Sequence, residues 1–185
     1  MNRTIVIVLV VCILVAVGLG VGDYMAKKKK KKAQAPVTTG NPKVQFETTQ
    51  GNFTVELYSD VPISTKNFMG LVSSGFYNGL TFHRYVPGFV IQGGDPTGTG
   101  SGGSGKTIPL EITAHKHEKG ALGMARTMDP NSATSQFYIC LESAPNLDGG
   151  YTVFGRVLDG MDNVLKLRQG DKMTKVSLVE DSVPK

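Results

Sequence analysis

One arginine, Arg84, lies among apolar residues in the stretch 82–95, which reads FHRYVPGFVIQGGD. The arginine side chain keeps its proton in proteins, so it does not act as an acid or a base, but it presents a planar fork of N–H donors. The stretch therefore indicates a site that binds a ligand or stabilises developing charge. It does not indicate a site that transfers protons.

The stretch is predicted to form two short strands, 81–85 and 89–92, joined by a turn. Side chains alternate between the two faces of a pleated strand. We therefore expect Arg84 to share a face with Phe82 and to lie opposite His83.

The segment 100–107, GSGGSGKT, matches the phosphate-binding pattern G-x-x-x-x-G-K-[ST]. That pattern requires a helix that begins at the Lys-Thr pair, whereas Pro109 biases Ile108 away from helical backbone angles. Six of the eight positions are Gly or Ser, so composition alone can produce the match. We interpret the segment as a flexible loop at the mouth of a barrel and set a nucleotidase function aside.

Two other kinds of chemistry have weak support. His115 and His117 are spaced by one residue, but no third metal ligand follows at a suitable spacing, so we predict a surface pair and no metal. The nucleophile pattern G-x-S-x-G of many hydrolases is absent from the sequence.

Residues 4–22 form a run of nineteen residues without a charged side chain. At about 1.5 Å per residue, a helix of this length nearly spans the roughly 30 Å hydrocarbon core of a membrane. The alternative is a cleaved secretory signal, whose apolar region is typically about 7 to 15 residues long and ends at a small-x-small site. We predict a retained, single-pass transmembrane helix because the run is long and no such site follows it.

Six lysines at 27–32 follow the apolar run. Lysine and arginine next to a membrane span favour the cytoplasmic side, so a cytoplasmic domain is expected, with an exported domain as the alternative. From residue 43 onwards, nine Lys and four Arg stand against fourteen Asp and Glu, a net charge of −1. The overall charge of +5 therefore belongs to the lysine run, and no nucleic-acid partner is expected.

The remaining chain is predicted to be mainly β. Alternating apolar residues around Gln50-Gly51 predict a hairpin, and further short apolar runs predict strands up to a last one at 174–180. Helices are predicted at 61–74 and 161–168. We expect a closed eight-stranded antiparallel β-barrel capped by two helices, because closure removes exposed sheet edges.

Four regions are expected in all. They are an N-terminal tail at 1–3, the transmembrane helix at 4–22, a polylysine segment and linker at 23–42, and the folded domain at 43–185. Cys140 is predicted to be a buried apolar residue without a disulfide partner.

Several blocks of sequence resemble the cyclophilin family of peptidyl-prolyl isomerases. They are the run FHR-x-x-PGF-x-IQGGD, GMAR at 123–126, SQFYI at 135–139, LDG at 147–149 and VFG at 153–155. They occur in the family's order and cover approximately residues 43–180. The resemblance implies an enzyme that accelerates rotation about X-Pro peptide bonds and assists protein folding, without metal or nucleotide cofactor.

The resemblance also implies roles for individual residues. Arg84 matches the catalytic arginine. The residues implied to bind the proline ring or the flanking peptide backbone are Phe89, Val90, Gln92, Ala125, Arg126, Gln136, Tyr138, Leu147 and Tyr151. The implied partners are proline-containing peptides and unfolded or folding protein chains.

The chain departs from the commonest family pattern at five positions. Tyr138 stands where Phe is usual, Val90 where Met is usual, Arg126 where Asn is frequent, Asn146 where Trp is frequent and Tyr151 where His is frequent. Proline binding remains the expectation, whereas the substrate preference and the affinity for a cyclosporin-type ligand stay open. A module that binds proline-containing peptides without catalysis is the alternative function.

Overall fold

The computed structural model of the chain describes residues 40–180. The predicted membrane span at 4–22, the lysine run at 27–32 and most of the predicted linker lie outside the described residues. Within the range 40–180, no helix is long and apolar enough to cross a membrane.

Eight strands and two helices follow one another along this range, as the sequence predicts. Their bounds are β1 Lys43–Thr48, β2 Phe53–Leu57, α1 Pro62–Ser73, β3 Phe82–Val86, β4 Val90–Gly93, β5 Ala121–Met124, β6 Phe137–Cys140, β7 Val153–Asp159, α2 Met161–Lys166 and β8 Met173–Leu178. A short 3-10 turn at Pro145–Leu147, which the sequence analysis did not predict, precedes β7.

Helix α1 starts at Pro62, whose fixed φ and missing N–H suit the first helical position. The first N–H groups of a helix have no partner within the helix. Here the carboxylate of Glu111 accepts hydrogen bonds from the backbone N–H groups of Ile63 and Ser64, at 2.9 and 2.7 Å. A loop residue far away in sequence therefore caps the helix and anchors it to the rest of the domain.

The second helix is shorter than predicted. The sequence pattern predicts 161–168, but the backbone of Leu167 is extended, with ψ at 140°. The N–H of Arg168 donates to Oδ2 of Asp171 at 2.7 Å and not to a helical carbonyl. This bond ends the helix early.

The core is centred on Phe137 of β6, which is fully buried. Its ring lies 5.8 Å from that of Phe46, 5.4 Å from that of Phe68 and 5.6 Å from that of Tyr77. The buried hydroxyl of Tyr77 donates to the carbonyl of Ser135 at 3.0 Å, so its burial leaves no unpaired polar atom. One face of β6 therefore belongs to the core, which leaves its other face for a site.

The sheet is antiparallel throughout, in the order β3-β4-β6-β5-β7-β2-β1-β8. The predicted closed barrel is wrong, because β3 and β8 are the two ends of an open, curled half-barrel. The end regions meet at an isolated bridge between Thr81 and Lys172, and the N–H of Phe82 donates to the carbonyl of Asp171 at 2.8 Å. The next residue, His83, is a bulge, at which the register of β3 against β4 shifts.

The carboxylate of Asp95, which is 1% exposed, organises the glycine-rich segment after β4. Its Oδ1 accepts hydrogen bonds from the N–H and the hydroxyl of Thr97, at 2.7 and 2.8 Å. Its Oδ2 accepts from the N–H groups of Gly100 and Gly102, at 2.6 and 3.1 Å. Burial by itself raises the pKa of this carboxyl, but the hydrogen bonds outweigh burial and lower the pKa from 3.8 to about 2.

This geometry disfavours a phosphate-binding loop at 100–107. Two N–H groups that a phosphate would need, those of Gly100 and Gly102, are already donated to Asp95. No helix begins in the segment. Lys106 lies in a separate concavity beside the start of α1.

We expect Asp95→Asn to lower the free energy of unfolding at neutral pH by about 2 kcal/mol, since one pKa unit corresponds to about 1.4 kcal/mol. The folded-state pKa is depressed, so the stabilisation is present above the unfolded value of 3.8 and is lost as the pH falls towards about 2. Chemical denaturation at a series of pH values measures both effects.

The exposed Asp129→Asn is the matched control, because its carboxylate bonds only locally, to the N–H of Asn131 at 2.9 Å. If the difference in the free energy of unfolding between the wild-type protein and Asp95→Asn stays constant as the pH falls from 3.8 towards about 2, the lowered pKa of Asp95 is contradicted.

Candidate active site

An extra residue in β3 positions Arg84. In the pairing of β3 with β4, Phe82 lies opposite Gly93 and Arg84 lies opposite Gln92, so the register shifts at His83. A bulge places two residues of one strand opposite one residue of its partner and reorients the side chains that follow.

The predicted common face of Phe82 and Arg84 is therefore wrong. Phe82 is fully buried and packs edge-on against Phe137 in the core. Arg84 is exposed on the other face of the sheet, where it bonds to Gln92. Burial lowers the pKa of the neighbouring His83, so Arg84 carries the positive charge at this position near neutral pH.

A cavity of about 230 Å³, here called the apolar pocket, opens beside Arg84. It contains nine of the ten residues predicted for the site. Its lining residues are Arg84, Phe89, Val90, Gln92, Ala125, Arg126, Tyr138, Leu147 and Tyr151. The tenth predicted residue, Gln136, lines the cavity next to it.

This neighbouring cavity, here called the polar cavity, has a volume of about 550 Å³. It shares Gln92, Ala125 and Arg126 with the apolar pocket. Its remaining lining residues are Gly100, Ser101, Gly102, Gly103, Gly105, Thr107, Thr127, Ser132, Thr134 and Gln136. Of these, Gln136 alone is among the residues that the resemblance implies for the site, and the glycine-rich composition of 100–107 is the other signal in the sequence.

The back wall of the apolar pocket is the outer face of β4 and β6. Gln92 and Tyr138 are direct cross-strand neighbours, and the ring of Tyr151 meets that of Tyr138 edge-on at 6.3 Å. Gly123 of β5 pairs with Tyr138, and a Cβ atom at this glycine would collide with the tyrosine ring. The missing side chain of Gly123 therefore lets the tyrosine lie over the backbone of β5.

A chain of side-chain amides orients Arg84. Nε2 of Gln136 donates to the carbonyls of Gly100 and Gly102, at 2.9 and 2.8 Å, which turns its Oε1 towards Gln92. Nε2 of Gln92 donates to that oxygen at 2.8 Å, and Oε1 of Gln92 accepts from Nη1 of Arg84 at 3.2 Å. The orientation of each amide is thus set by the next, from the glycine-rich segment to the guanidinium.

Arg126 forms the rim between the two cavities. Its Nε and Nη2 donate to the carbonyl of Gly150, at 3.0 and 2.7 Å, and its Nη1 donates to the carbonyl of Thr127 at 2.7 Å. The guanidinium carbon lies 4.5 Å from the centre of the Tyr151 ring, within the range of a cation–π interaction. These contacts direct its donors to carbonyls of its own chain.

His117 is not the surface residue that the sequence analysis predicts. It is 1% exposed, with Nδ1 at 2.8 Å from Oδ1 of Asp148 and Nε2 at 2.8 Å from the hydroxyl of Tyr138. The burial of His117 depends on a loop that folds against β6. The spacing of His115 and His117 in the sequence does not predict this contact.

His115 is the more exposed member of the pair. Its ring stacks on that of Tyr58 at 3.9 Å, and its Nε2 lies 3.1 Å from both carboxylate oxygens of Asp60. Within 40–180, no group of three or more His, Cys, Asp or Glu side chains could hold a metal ion.

Sequence comparisons identify relatives that cover most of the domain. Residues 43–184 match the family model of cyclophilin type peptidyl-prolyl cis-trans isomerase/CLD. A Synechococcus elongatus protein named peptidyl-prolyl cis-trans isomerase is 45% identical over 139 residues, which cover 74% of this chain and 95% of that protein. Peptidyl-prolyl cis-trans isomerase B of Bacillus subtilis is 48% identical over 124 residues, covering 65% and 86%.

Solved structures that are similar to this chain belong to the same class of isomerase as the sequence relatives. A crystal structure of a Cryptosporidium parvum cyclophilin type peptidyl-prolyl cis-trans isomerase has a TM-score of 0.72 and 34% sequence identity, covering 75% of this chain and 98% of that chain. A second structure of that protein, determined in the presence of the dipeptide Ala-Pro, has a TM-score of 0.70 at the same identity and covers 74% and 98%.

We expect Arg126→Lys to loosen the turn at 145–151. An ammonium group cannot make the paired bonds to Gly150 and lie flat on Tyr151 at the same time. The amide protons of Gly150 and Tyr151, which are bonded within the turn, should exchange about tenfold faster by native-state hydrogen exchange.

The control is Arg156→Lys, which changes an exposed arginine whose partner is Glu56. Unchanged exchange in the turn of the Arg126→Lys variant would show that the rim does not depend on the guanidinium.

Proposed function

The chain belongs to the cyclophilin-type peptidyl-prolyl cis-trans isomerase family and is an isomerase, and from that premise we propose that Arg84 is its catalytic residue. The proposed substrate is an X-Pro bond whose proline ring sits in the apolar pocket. The observation that carries this proposal is the guanidinium fork at the edge of a cavity of about 230 Å³, most of whose lining side chains are apolar or aromatic.

The reaction requires the peptide bond to twist. Delocalisation of the nitrogen lone pair gives a rotation barrier of about 18 to 20 kcal/mol. In the twisted state the lone pair is localised on the prolyl nitrogen, which then accepts a hydrogen bond better than it does in the planar amide. A fixed donor beside this nitrogen stabilises the twisted state more than the planar state, which lowers the barrier.

Arg84 has the properties of such a donor. In the described part of the chain its guanidinium makes one hydrogen bond, from Nη1 to Gln92, so its other N–H groups are available to a substrate. A charge-assisted hydrogen bond contributes about 1.5 to 3 kcal/mol, or roughly ten- to a hundredfold in rate. The remaining acceleration must come from how the pocket holds the peptide.

The pocket supplies an apolar grip on one side of the bond. Phe89, Val90, Tyr138 and Leu147 form a surface suited to a pyrrolidine ring. The volume of about 230 Å³ suits one ring and not a drug-sized ligand. A structure of the Cryptosporidium parvum relative was determined in the presence of Ala-Pro, which supports a proline-containing peptide as the ligand of this chain.

Gln92 and Gln136 are proposed to hold the peptide backbone next to the proline. Their amides are already oriented by the glycine-rich segment, so little entropy is lost when a peptide binds. We propose proline-containing peptides and folding protein chains as partners. The substrate preference and the affinity for a cyclosporin-type ligand stay predictions, because Asn146 stands where the family often has Trp.

A binding module without catalysis was the alternative from the sequence. It is set aside, because the relatives are named isomerases and the family model is that of an isomerase.

We further propose that residues 4–22 tether the enzyme to a membrane. The support is the uncharged run of nineteen residues and the six lysines that follow it. The lysine run favours a cytoplasmic domain, and an exported domain is the alternative. Tethering would hold the enzyme close to proteins at the membrane.

We expect Arg84→Ala to lower kcat/KM for a proline-containing tetrapeptide by about ten- to a hundredfold in a protease-coupled assay, because the donor to the prolyl nitrogen is lost. Arg84→Lys should retain part of the activity, since it keeps the charge but not the planar fork.

The exposed Arg156→Ala controls for loss of a surface charge, and the melting temperature of each variant controls for folding. Activity of Arg84→Ala within about twofold of the wild-type value would overturn the catalytic assignment.

We expect the full chain to remain in the membrane fraction after alkaline carbonate extraction and a variant without residues 1–22 to be released. The mass of the extracted protein distinguishes a retained span from a cleaved signal. Release of the full chain would refute the tether. Protection of the domain from protease added to intact cells would support the cytoplasmic side, and digestion would support the exported alternative.

A further inference from the structure

A buried line of polar groups lies behind the apolar pocket. Oδ1 of Asp148, the imidazole of His117 and the hydroxyl of Tyr138 are connected by two contacts of 2.8 Å each. His117 is 1% exposed and Tyr138 is 5% exposed. The ring of Tyr138 forms part of the pocket wall, but its hydroxyl points into this line.

The directions of these hydrogen bonds follow from the groups involved. The backbone N–H and the imidazole of His117, together with the ammonium group of Lys116, lower the pKa of Asp148 to about 2, so its carboxylate is ionised and can only accept. Nδ1 of His117 must therefore donate, and the Nε2 of a neutral imidazole is left as an acceptor. Burial raises the pKa of Tyr138, so its hydroxyl keeps a proton to donate to Nε2.

His117 also binds the segment 144–148, whose Leu147 lines the apolar pocket. Its backbone N–H donates to Oδ1 of Asp148 at 3.0 Å, and its carbonyl accepts from the N–H of Ala144 at 2.7 Å. Leu147, which contacts the pocket, lies between these two anchor points in sequence. His117 is thus bonded to Ala144 and Asp148, on either side of Leu147, and to the hydroxyl of Tyr138 on β6.

We propose that His117 is a positioning residue for the isomerase, which fixes the Tyr138 ring relative to the turn that carries Leu147. This inference rests on the proposed function of the apolar pocket as the proline site. Tyr138 and Leu147 come from separate parts of the chain, so the distance between their side chains must stay constant if the two are to hold the proline ring of a substrate. His117 maintains that separation and directs the polar atom of Tyr138 away from the substrate.

The structure therefore accounts for a tyrosine in an apolar wall. An unpaired hydroxyl facing the proline ring would need to be desolvated when the substrate binds, which costs free energy. With its hydroxyl bonded to His117, Tyr138 presents only its ring to the pocket. A phenylalanine at 138 would leave Nε2 of His117 buried without its partner, so the two residues are expected to act as a pair.

The first test uses the unaltered full chain in detergent micelles with ¹⁵N-labelled histidine. The sequence has three histidines, so the spectrum is simple. We expect His117 to show a protonated Nδ1 and an unprotonated Nε2 near neutral pH, and the Nε2 resonance to shift in Tyr138→Phe. A tautomer with the proton on Nε2, or an Nε2 resonance that Tyr138→Phe leaves unchanged, would overturn the inference.

The second test is a double-mutant cycle on kcat/KM for a proline-containing tetrapeptide. We expect His117→Leu to lower kcat/KM about tenfold in the wild-type background, mainly by raising KM. In a Tyr138→Phe background, the same substitution should lower kcat/KM by less than about twofold. Full additivity of the two substitutions would overturn the inference, because His117 would then act through packing alone. His115→Leu is the matched control and should keep wild-type activity.

These outcomes separate the inference from the proposed function. If Arg84→Ala loses about tenfold or more of kcat/KM while the effects of His117→Leu and Tyr138→Phe are additive, only the role of His117 is rejected. If Arg84→Ala keeps kcat/KM within about twofold of the wild-type value while those two effects are coupled, only the catalytic role of Arg84 is rejected. The tautomer measurement needs no variant of His117, so it decides the question even if His117→Leu fails to fold.

Discussion

The site depends on one extra residue in an edge strand. Because β3 carries His83 as an unmatched residue against β4, Phe82 enters the core while Arg84 stands on the outer face beside Gln92. The sheet is open between β3 and β8, whose end regions meet at the bridge between Thr81 and Lys172.

Strand β6 belongs both to the core and to the site, because its side chains on one face pack in the core and those on the other face line the apolar pocket. Phe137 is the centre of the aromatic core, and the next residue, Tyr138, is the wall of the apolar pocket. Because the core holds Phe137 against the rings of Phe46, Phe68, Tyr77 and Phe82, the backbone of Tyr138 has little freedom. His117 then restrains the side chain of Tyr138 through its hydroxyl. Both the backbone and the side chain of this pocket residue are therefore held by buried groups.

The glycine-rich segment contributes through its backbone. Asp95 gathers its N–H groups, and this leaves the carbonyls of Gly100 and Gly102 to accept from Gln136. The amide chain that starts there ends at Arg84. A segment that resembles a phosphate loop in composition therefore serves to orient a cation, and the reason lies in the buried carboxylate that replaces the phosphate as acceptor.

The sequence alone determined the order of strands and helices. Nine of the ten residues that its family resemblance implied for the site line one cavity. Alternation in the hairpin and the helical spacing in α1 depend on near neighbours. The motifs around Arg84 and Tyr138 follow the family's pattern at most positions, with Val90 and Tyr138 as departures. Tertiary structure decided the face of Arg84, the burial of His117, the contacts of Arg126 and the open edge of the sheet. Each of these depends on a partner far away in the chain, namely the register against β4, the turn at Asp148, the carbonyl of Gly150 and the approach of β8. Local periodicity carries no information about such partners, because register and burial are set only when the strands pair and the loops pack.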